Sequence, residues 1–258
     1  MLQHLLALCC GSLVGFSLGL IGGGGSILAV PLLLYVVGVT DPHRAIGTSA
    51  LAVAVNAFAN LVPHARAGNV RWKPAAIFAA CGMVGAYAGS TAGKAFNGQS
   101  LLTLFALLMI VIAVLMQRRR GITVGAEERL RPAMIARLVG VGLGAGALAG
   151  FFGIGGGFLI VPGLILAAEL STLHAVGSSL LAVGAFGLTT AVNYAVSGMV
   201  EWWIAVLFIL GGVAGGWFGA MLARHLAKGR DTLNRVFGGV VVIVALYMLA
   251  HSAGLLSR

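Results

Sequence analysis

"GLIGGGGSILAVP", residues 19–31, sets four consecutive glycines inside a strongly apolar run. Each glycine costs a helix about 1 kcal/mol against alanine, so four in a row imply a use for bare backbone. The device recurs at residues 150–162, "GFFGIGGGFLIVP". Shifting one half of the chain along the other by about 130 positions superposes Pro31 on Pro162 and brings the glycine clusters together. The match continues through "HRAIGTSALAV" (43–53) and "HAVGSSLLAV" (174–183), with one residue slipped, and through "GNVRW" (68–72) and "GMVEW" (198–202). Gly82, Gly85 and Gly89 fall on Gly212, Gly215 and Gly219. The chain is an internal duplication, read as repeats over 1–125 and 126–258.

Composition assigns the solvent. With 60% hydrophobic and only 9% charged residues, and a mean hydropathy of +1.05, the chain lacks the charge that a water-facing surface needs. It belongs in a lipid bilayer. Apolar runs cover approximately 5–22, 26–39, 45–65, 74–95, 100–116, 133–152, 157–170, 175–198, 202–226 and 233–255, five per half, and most approach the ~20 residues that cross a membrane. The second run of each half is short and suits a half-helix or re-entrant segment. The fold class read from this pattern is an all-α polytopic membrane protein built from two repeats of about five segments.

No Lys or Arg precedes the first run, so that run is expected to be a retained helix rather than a cleaved signal. Cys9, Cys10 and Cys81 have neither CxxC nor Cys/His spacing, so no metal site and no disulfide framework is expected, and no cofactor is called for.

A net charge of +10 raises nucleic acid as a partner, but position argues for topology. With ten crossings, and the Arg-rich linker 117–132 inside, thirteen of the sixteen bases fall on the linker's side, leaving Arg44, Lys94 and Arg258 outside. That is the positive-inside pattern, and no nucleic acid is expected. An odd number of crossings per half makes the repeats inverted about an axis in the membrane plane, as in many secondary transporters. Four crossings per half would make them parallel.

A helix that starts inside the membrane presents unpaired N–H groups and a positive dipole end, and glycine lets a ligand approach them. Short helices starting after Gly25 and Gly156, each terminated by a proline, would form an anion cradle from Gly23, Gly24, Gly25 and Ser26 in one half and Gly155, Gly156 and Gly157 in the other. Close helix packing is the competing reading of these glycines and the preferred one for Gly82, Gly85 and Gly89. Thr48/Ser49 and Ser178/Ser179 stand at matched positions after a glycine, where their hydroxyls either donate to an oxyanion or act as caps and interhelical ties. Arg44, opposed by Ala175 in the slipped register, breaks the symmetry beside the cradle and is a candidate anion ligand. His43 and His174 match and are read chiefly as helix-end caps.

All six acids, Asp41, Glu127, Glu128, Glu169, Glu201 and Asp231, lie at the ends of runs or in loops. Carboxylate-coupled proton or Na⁺ transport is therefore disfavoured. No nucleophile–base set, HExxH or P-loop lysine supports an enzyme.

The duplicated "GxGGG…P" element, followed by "H..(I/V)G(T/S)S" and "G.V.W" and spread over nearly the whole chain, resembles the sulfite exporter TauE/SafE family of bacterial inner-membrane permeases. The resemblance implies export of small sulfur-containing anions such as sulfite, sulfoacetate or another sulfonate, with the glycine clusters and the "GTS/GSS" positions as the permeation site. The expectation is a multi-pass inner-membrane permease whose partners are a small anionic substrate and the bilayer; a homo-oligomer is compatible with it. The alternative is a non-transporting scaffold or accessory subunit, which would need no polar residues at matched intramembrane positions.

Overall fold

A computed structural model describes residues 2–21, 23–118, 131–225 and 230–252. Every apolar run contains a helical segment: α1 (Leu2–Ile21), a broken segment α2 (23–36), α3 (Pro42–Arg66), α4 (Trp72–Ala95), α5 (Gly98–Arg118), α6 (Pro132–Phe152), α7 (Gly157–Ala168), α8 (Thr172–Val196), α9 (Trp202–His225) and α10 (Arg230–Ser252). Of these, α1, α3, α4, α6, α8 and α9 are long and apolar enough to cross a membrane. The 12 residues of α7 reach only about 18 Å at 1.5 Å per residue, short of the hydrocarbon core. Linker residues 119–130, with Glu127 and Glu128, lie outside the described residues.

The second segment departs from expectation. No α-helix starts after Gly25; α2 is a 3₁₀ helix over Gly23–Leu28, one α turn at Ala29–Pro31 and a π turn over Leu32–Val36. Pro31 cannot donate an N–H and crowds the preceding turn, so the hydrogen-bond register changes there, tighter over the glycines and looser beyond the proline. Neither proline ends its segment. Pro162 lies inside α7, at its sixth residue, where it forfeits one bond near the helix start.

The hydroxyl pairs also sit deeper than expected. The Asp41 side chain accepts the His43 N–H at 2.8 Å and Pro42 takes the first helical position, so α3 begins early and Thr48 and Ser49 lie more than one turn inside it. Ser178 and Ser179 occupy the same depth in α8.

Equivalent elements match in length: α3 and α8 have 25 residues each, α4 and α9 have 24, with starts 130 positions apart. This register corrects two pairings. Arg44 corresponds to His174 rather than to Ala175, and His43 to Leu173, because the one-residue slip precedes α8.

The halves interlock. α1 lies along α9 and α4 along α6. Both pairs are parallel: Gly11, Gly15 and Gly19 face the backbone at Phe208, Gly212 and Gly216, and Gly85, Gly89 and Gly93 face the carbonyls of Leu143, Ala147 and Phe151. Side chains at these sites would overlap the facing carbonyls. Small residues here let backbones touch, which is how helices associate in lipid without a hydrophobic driving force.

At the centre α3 and α8 cross antiparallel, Gly47 against Tyr194 and Met199, Gly187 against Ala50 and Ala54, and Gly177 against Asn69. They are 72% buried, against 44% or less for the other four spans, so they form the protein's interior. Trp72 opens α4 and Trp202 and Trp203 open α9, all exposed, as interfacial aromatic anchors are.

Candidate permeation site

The chain between α6 and α7 needs glycine for conformation. Gly153, Gly155 and Gly156 have φ of 66°, 63° and 64°, a left-handed region costly for other residues. The Ile46 side chain packs on Gly153, while Val53 and Val183 flank Gly155. The Ser49 hydroxyl lies 3.1 Å from the Gly153 carbonyl and 2.9 Å from the Ile46 carbonyl, both acceptors for its proton. The turn is thus held between α3 and α8. Since α7 begins at Gly157, its first-turn N–H groups and positive dipole end face this turn.

The matching glycines of the first half come to the same place. The 3₁₀ start of α2, which includes Gly23, Gly24, Gly25 and Ser26, touches both α7 and α8. Gly25 packs against Ser17 and Leu18 of α1, and Ser26 is fully buried. The structure therefore gathers both glycine elements and Ser49 beside the central crossing.

The other candidates are engaged elsewhere. Thr48 Oγ1 accepts the Glu201 N–H at 2.9 Å, and Ser178 Oγ accepts the Arg71 N–H at 2.8 Å. Ser179 donates to the Val176 carbonyl at 2.8 Å. Three of the four hydroxyls thus tie backbone together, the role of interhelical or local glue. Arg44 lies in the first turn of α3, about 7 Å along the axis from Ser49, with its side chain half exposed and ion-paired to Glu201. It borders a cavity of about 300 Å³ with Gln3, Gly38, Asp41 and Glu201, separate from the glycine turns. His43 Nε2 lies 3.2 Å from the Phe96 carbonyl, and His174 Nδ1 lies 2.8 Å from the Ser171 hydroxyl, so both serve helix ends.

Sequence reasoning noted Asn56 and Asn193 as polar residues within apolar runs but left two features out of the candidate site. Lys94 Nζ donates to the Asn193 carbonyl (3.1 Å), Asn193 Oδ1 (2.8 Å) and Ser197 Oγ (3.0 Å), and Asn193 Nδ2 donates to Ser90 and Thr91 at 2.7 and 3.0 Å. This network pins α4 to α8. Its signal was the helical spacing of Ser90, Thr91 and Lys94 against that of Asn193 and Ser197. The second feature is Asn56, whose counterpart 130 positions on is Phe186.

The family model for the sulfite exporter TauE/SafE matches residues 7–248. A "probable membrane transporter protein" of Xylella fastidiosa strain Temecula1 is 56% identical over 245 residues, covering 94% of this chain and 93% of that protein. Bacillus subtilis YunE, also a probable membrane transporter protein, is 28% identical over 266 residues, 95% of this chain and 96% of its own. No solved structure matches the chain.

Proposed function

The chain belongs to the sulfite exporter TauE/SafE family and is a multi-pass membrane protein, and from that premise we propose that it is a permease exporting a small sulfur-containing anion, such as sulfite, sulfoacetate or another sulfonate, by alternating access across the inner membrane. The observation that carries the reading is the meeting of two glycine-rich, discontinuous segments against the buried α3/α8 crossing. Transporters place substrate where broken helices aim positive ends at the bilayer midplane, and the start of α7 at Gly157 supplies such an end. The site comprises Gly23–Ser26 and Gly155–Gly157, with Ser49 holding the turn.

The two halves are inverted in this proposal. Helices related by a two-fold axis lying across them run antiparallel, as α3 and α8 do, whereas an axis along them would leave the equivalents parallel. The reciprocal α1/α9 and α4/α6 pairs fit the same axis. Arg66 and Arg71 then share one side with the Arg-rich linker, and Arg44 and Lys94 lie on the other.

The deciding experiment is flux in reconstituted vesicles against a panel of sulfur and carboxylate anions. Saturable movement of sulfite or a sulfonate is expected; a protein that inserts but moves none of the panel would leave the scaffold alternative standing.

A further inference from the structure

Asn56 and Asn60 lie one turn apart on α3, 0% and 3% exposed. Asn60 Nδ2 donates to the Asn56 carbonyl at 2.9 Å. The Asn56 carboxamide itself has no hydrogen-bond partner at either Oδ1 or Nδ2 among the described residues. It lies over Gly212 of α9, and the Asn60 amide over Gly216 one turn on. A buried, unpaired amide has given up its water for nothing, and native structures rarely keep one without a use.

The duplication supplies an internal control. At the equivalent position Phe186 covers Gly82, the counterpart of Gly212, and stacks on Phe78 with ring centroids 6.1 Å apart. Packing over this glycine is thus satisfied by hydrocarbon in one half, so the amide in the other is not required by the fold.

Asn60 also forms part of a groove of about 450 Å³ between α3 and α9, bordered by Pro63, Val213 and Trp217, with Arg66 at the end of α3. No carboxylate lines it among the described residues. From Arg66 to Asn60 is about 9 Å along the helix, and Asn56 lies about 6 Å further in. A cation at the mouth raises the local concentration of anions, and amide N–H groups beyond it replace their lost water.

We propose that Arg66, Asn60 and Asn56 form an oxyanion-binding site in one half of the molecule only, in which Arg66 attracts the anion, Asn60 receives it at the groove floor and Asn56 holds it when α3 and α9 part. The site rests on the permease reading above and adds to it the residues that meet substrate on the Arg66 side. The ligand head is a compact oxyanion, either dissolved or carried by a lipid.

The test uses the full chain in phosphatidylcholine vesicles, with Trp72, Trp202 and Trp203 changed to Phe so that Trp217 reports on the groove. Sodium sulfite and 2-hydroxyethanesulfonate are titrated against sodium chloride of equal ionic strength. A saturable change in Trp217 emission with either oxyanion and none with chloride is expected. Asn56→Leu and Asn60→Leu should raise the half-saturating concentration at least tenfold. Asn56→Phe, which copies the other half, should do the same while melting no lower than the parent, because the unpaired amide is gone. Unchanged half-saturation in Asn56→Leu and Asn56→Phe overturns the proposal, as does the absence of a saturable response. Vesicles containing one-third phosphatidylglycerol separate the sources: a Trp217 shift on adding this lipid that dissolved sulfite does not reverse assigns the groove to a lipid head and overturns the transport site. Flux that persists in Asn56→Phe defeats this site and leaves the permease reading intact, whereas saturable binding without any flux in the parent does the reverse.

Discussion

The hydroxyl oxygen of Thr48 accepts the backbone N–H of Glu201 at 2.9 Å, joining the interior of α3 to the residue that precedes α9. Its counterpart, Ser178 with Arg71 at 2.8 Å, makes the same tie in the reverse sense. Each bond satisfies a donor at the entrance to a helix of the opposite half.

Removing either hydroxyl leaves that N–H unpaired, so Thr48→Val and Ser178→Ala should each cost about 1–3 kcal/mol. Thr48→Ser should cost less than either. Unfolding of the detergent-solubilised protein measures the three variants; equal stability of Thr48→Val and the parent would remove the tie from the account.

Inverted halves place Lys94 and Arg230 on opposite sides of the membrane, although each stands at or just beyond the far end of the fourth segment of its repeat. Cysteines introduced singly at these positions, in a chain without Cys9, Cys10 and Cys81, should react with an impermeant reagent from opposite faces. Same-side labelling would establish parallel repeats.

Glycines divide by what a methyl group would meet. Gly140 and Gly144 have open space at the Cβ position, so Gly→Ala there should leave stability unchanged or raise it by up to about 1 kcal/mol. At Gly15 and Gly146 the methyl would overlap the carbonyls of Gly212 and Gly82, so alanine should push α1 from α9 or α4 from α6 and lower the melting temperature. Similar melting of all four variants would discount backbone contact as the bond between the halves.

Gly155 tests the site rather than the packing. Its φ of 63° and the Val53 methyl 2.9 Å from its Cβ position make Gly155→Val strained in the turn itself. Flux should fall steeply while the protein still inserts. Near-normal flux would move the substrate path away from this turn.

The acids described in the structure stay at helix ends: Asp41 caps α3, Glu169 ends α7 and pairs with Arg137 at 3.5 Å, and Glu201 precedes α9. With no acid along the buried length of α3 or α8, the expected driving force is the membrane potential, worth about 2.3 kcal/mol per charge per 100 mV. A K⁺-diffusion potential without a pH difference should drive a monovalent sulfonate. Flux that instead requires a pH gradient and disappears in His43→Ala or His174→Ala would transfer the coupling to histidine.

Much of the architecture was legible in the sequence because lipid restricts the choices. A chain in hydrocarbon must satisfy its backbone internally, so apolar run length alone predicts helices, and the ten runs became helical segments. The duplication was equally plain, since recurring glycines and prolines are local facts of the chain. What α2 would do was not, because 3₁₀, α and π turns differ little in local preference and the choice fell to Pro31 and to packing on α1, α7 and α8.

The roles of polar residues were decided by tertiary structure. Thr48 and Ser178 carry the same hydroxyl whether they face an anion or a peptide N–H, and only the approach of Glu201 and Arg71 from the other half assigns them. Arg44 was a candidate ligand until the interlocking of α3 with α9 placed Glu201 beside it. Asn56 shows the same limit in reverse: sequence marks it as polar within an apolar run, but its lack of partners exists only once α9 has set Gly212 against it. Composition and periodicity act through each residue's own chemistry and its near neighbours, and so determine solvent, helices and repeats; hydrogen-bond partners here lie more than 100 positions away, and the packing of one half into the other chooses them.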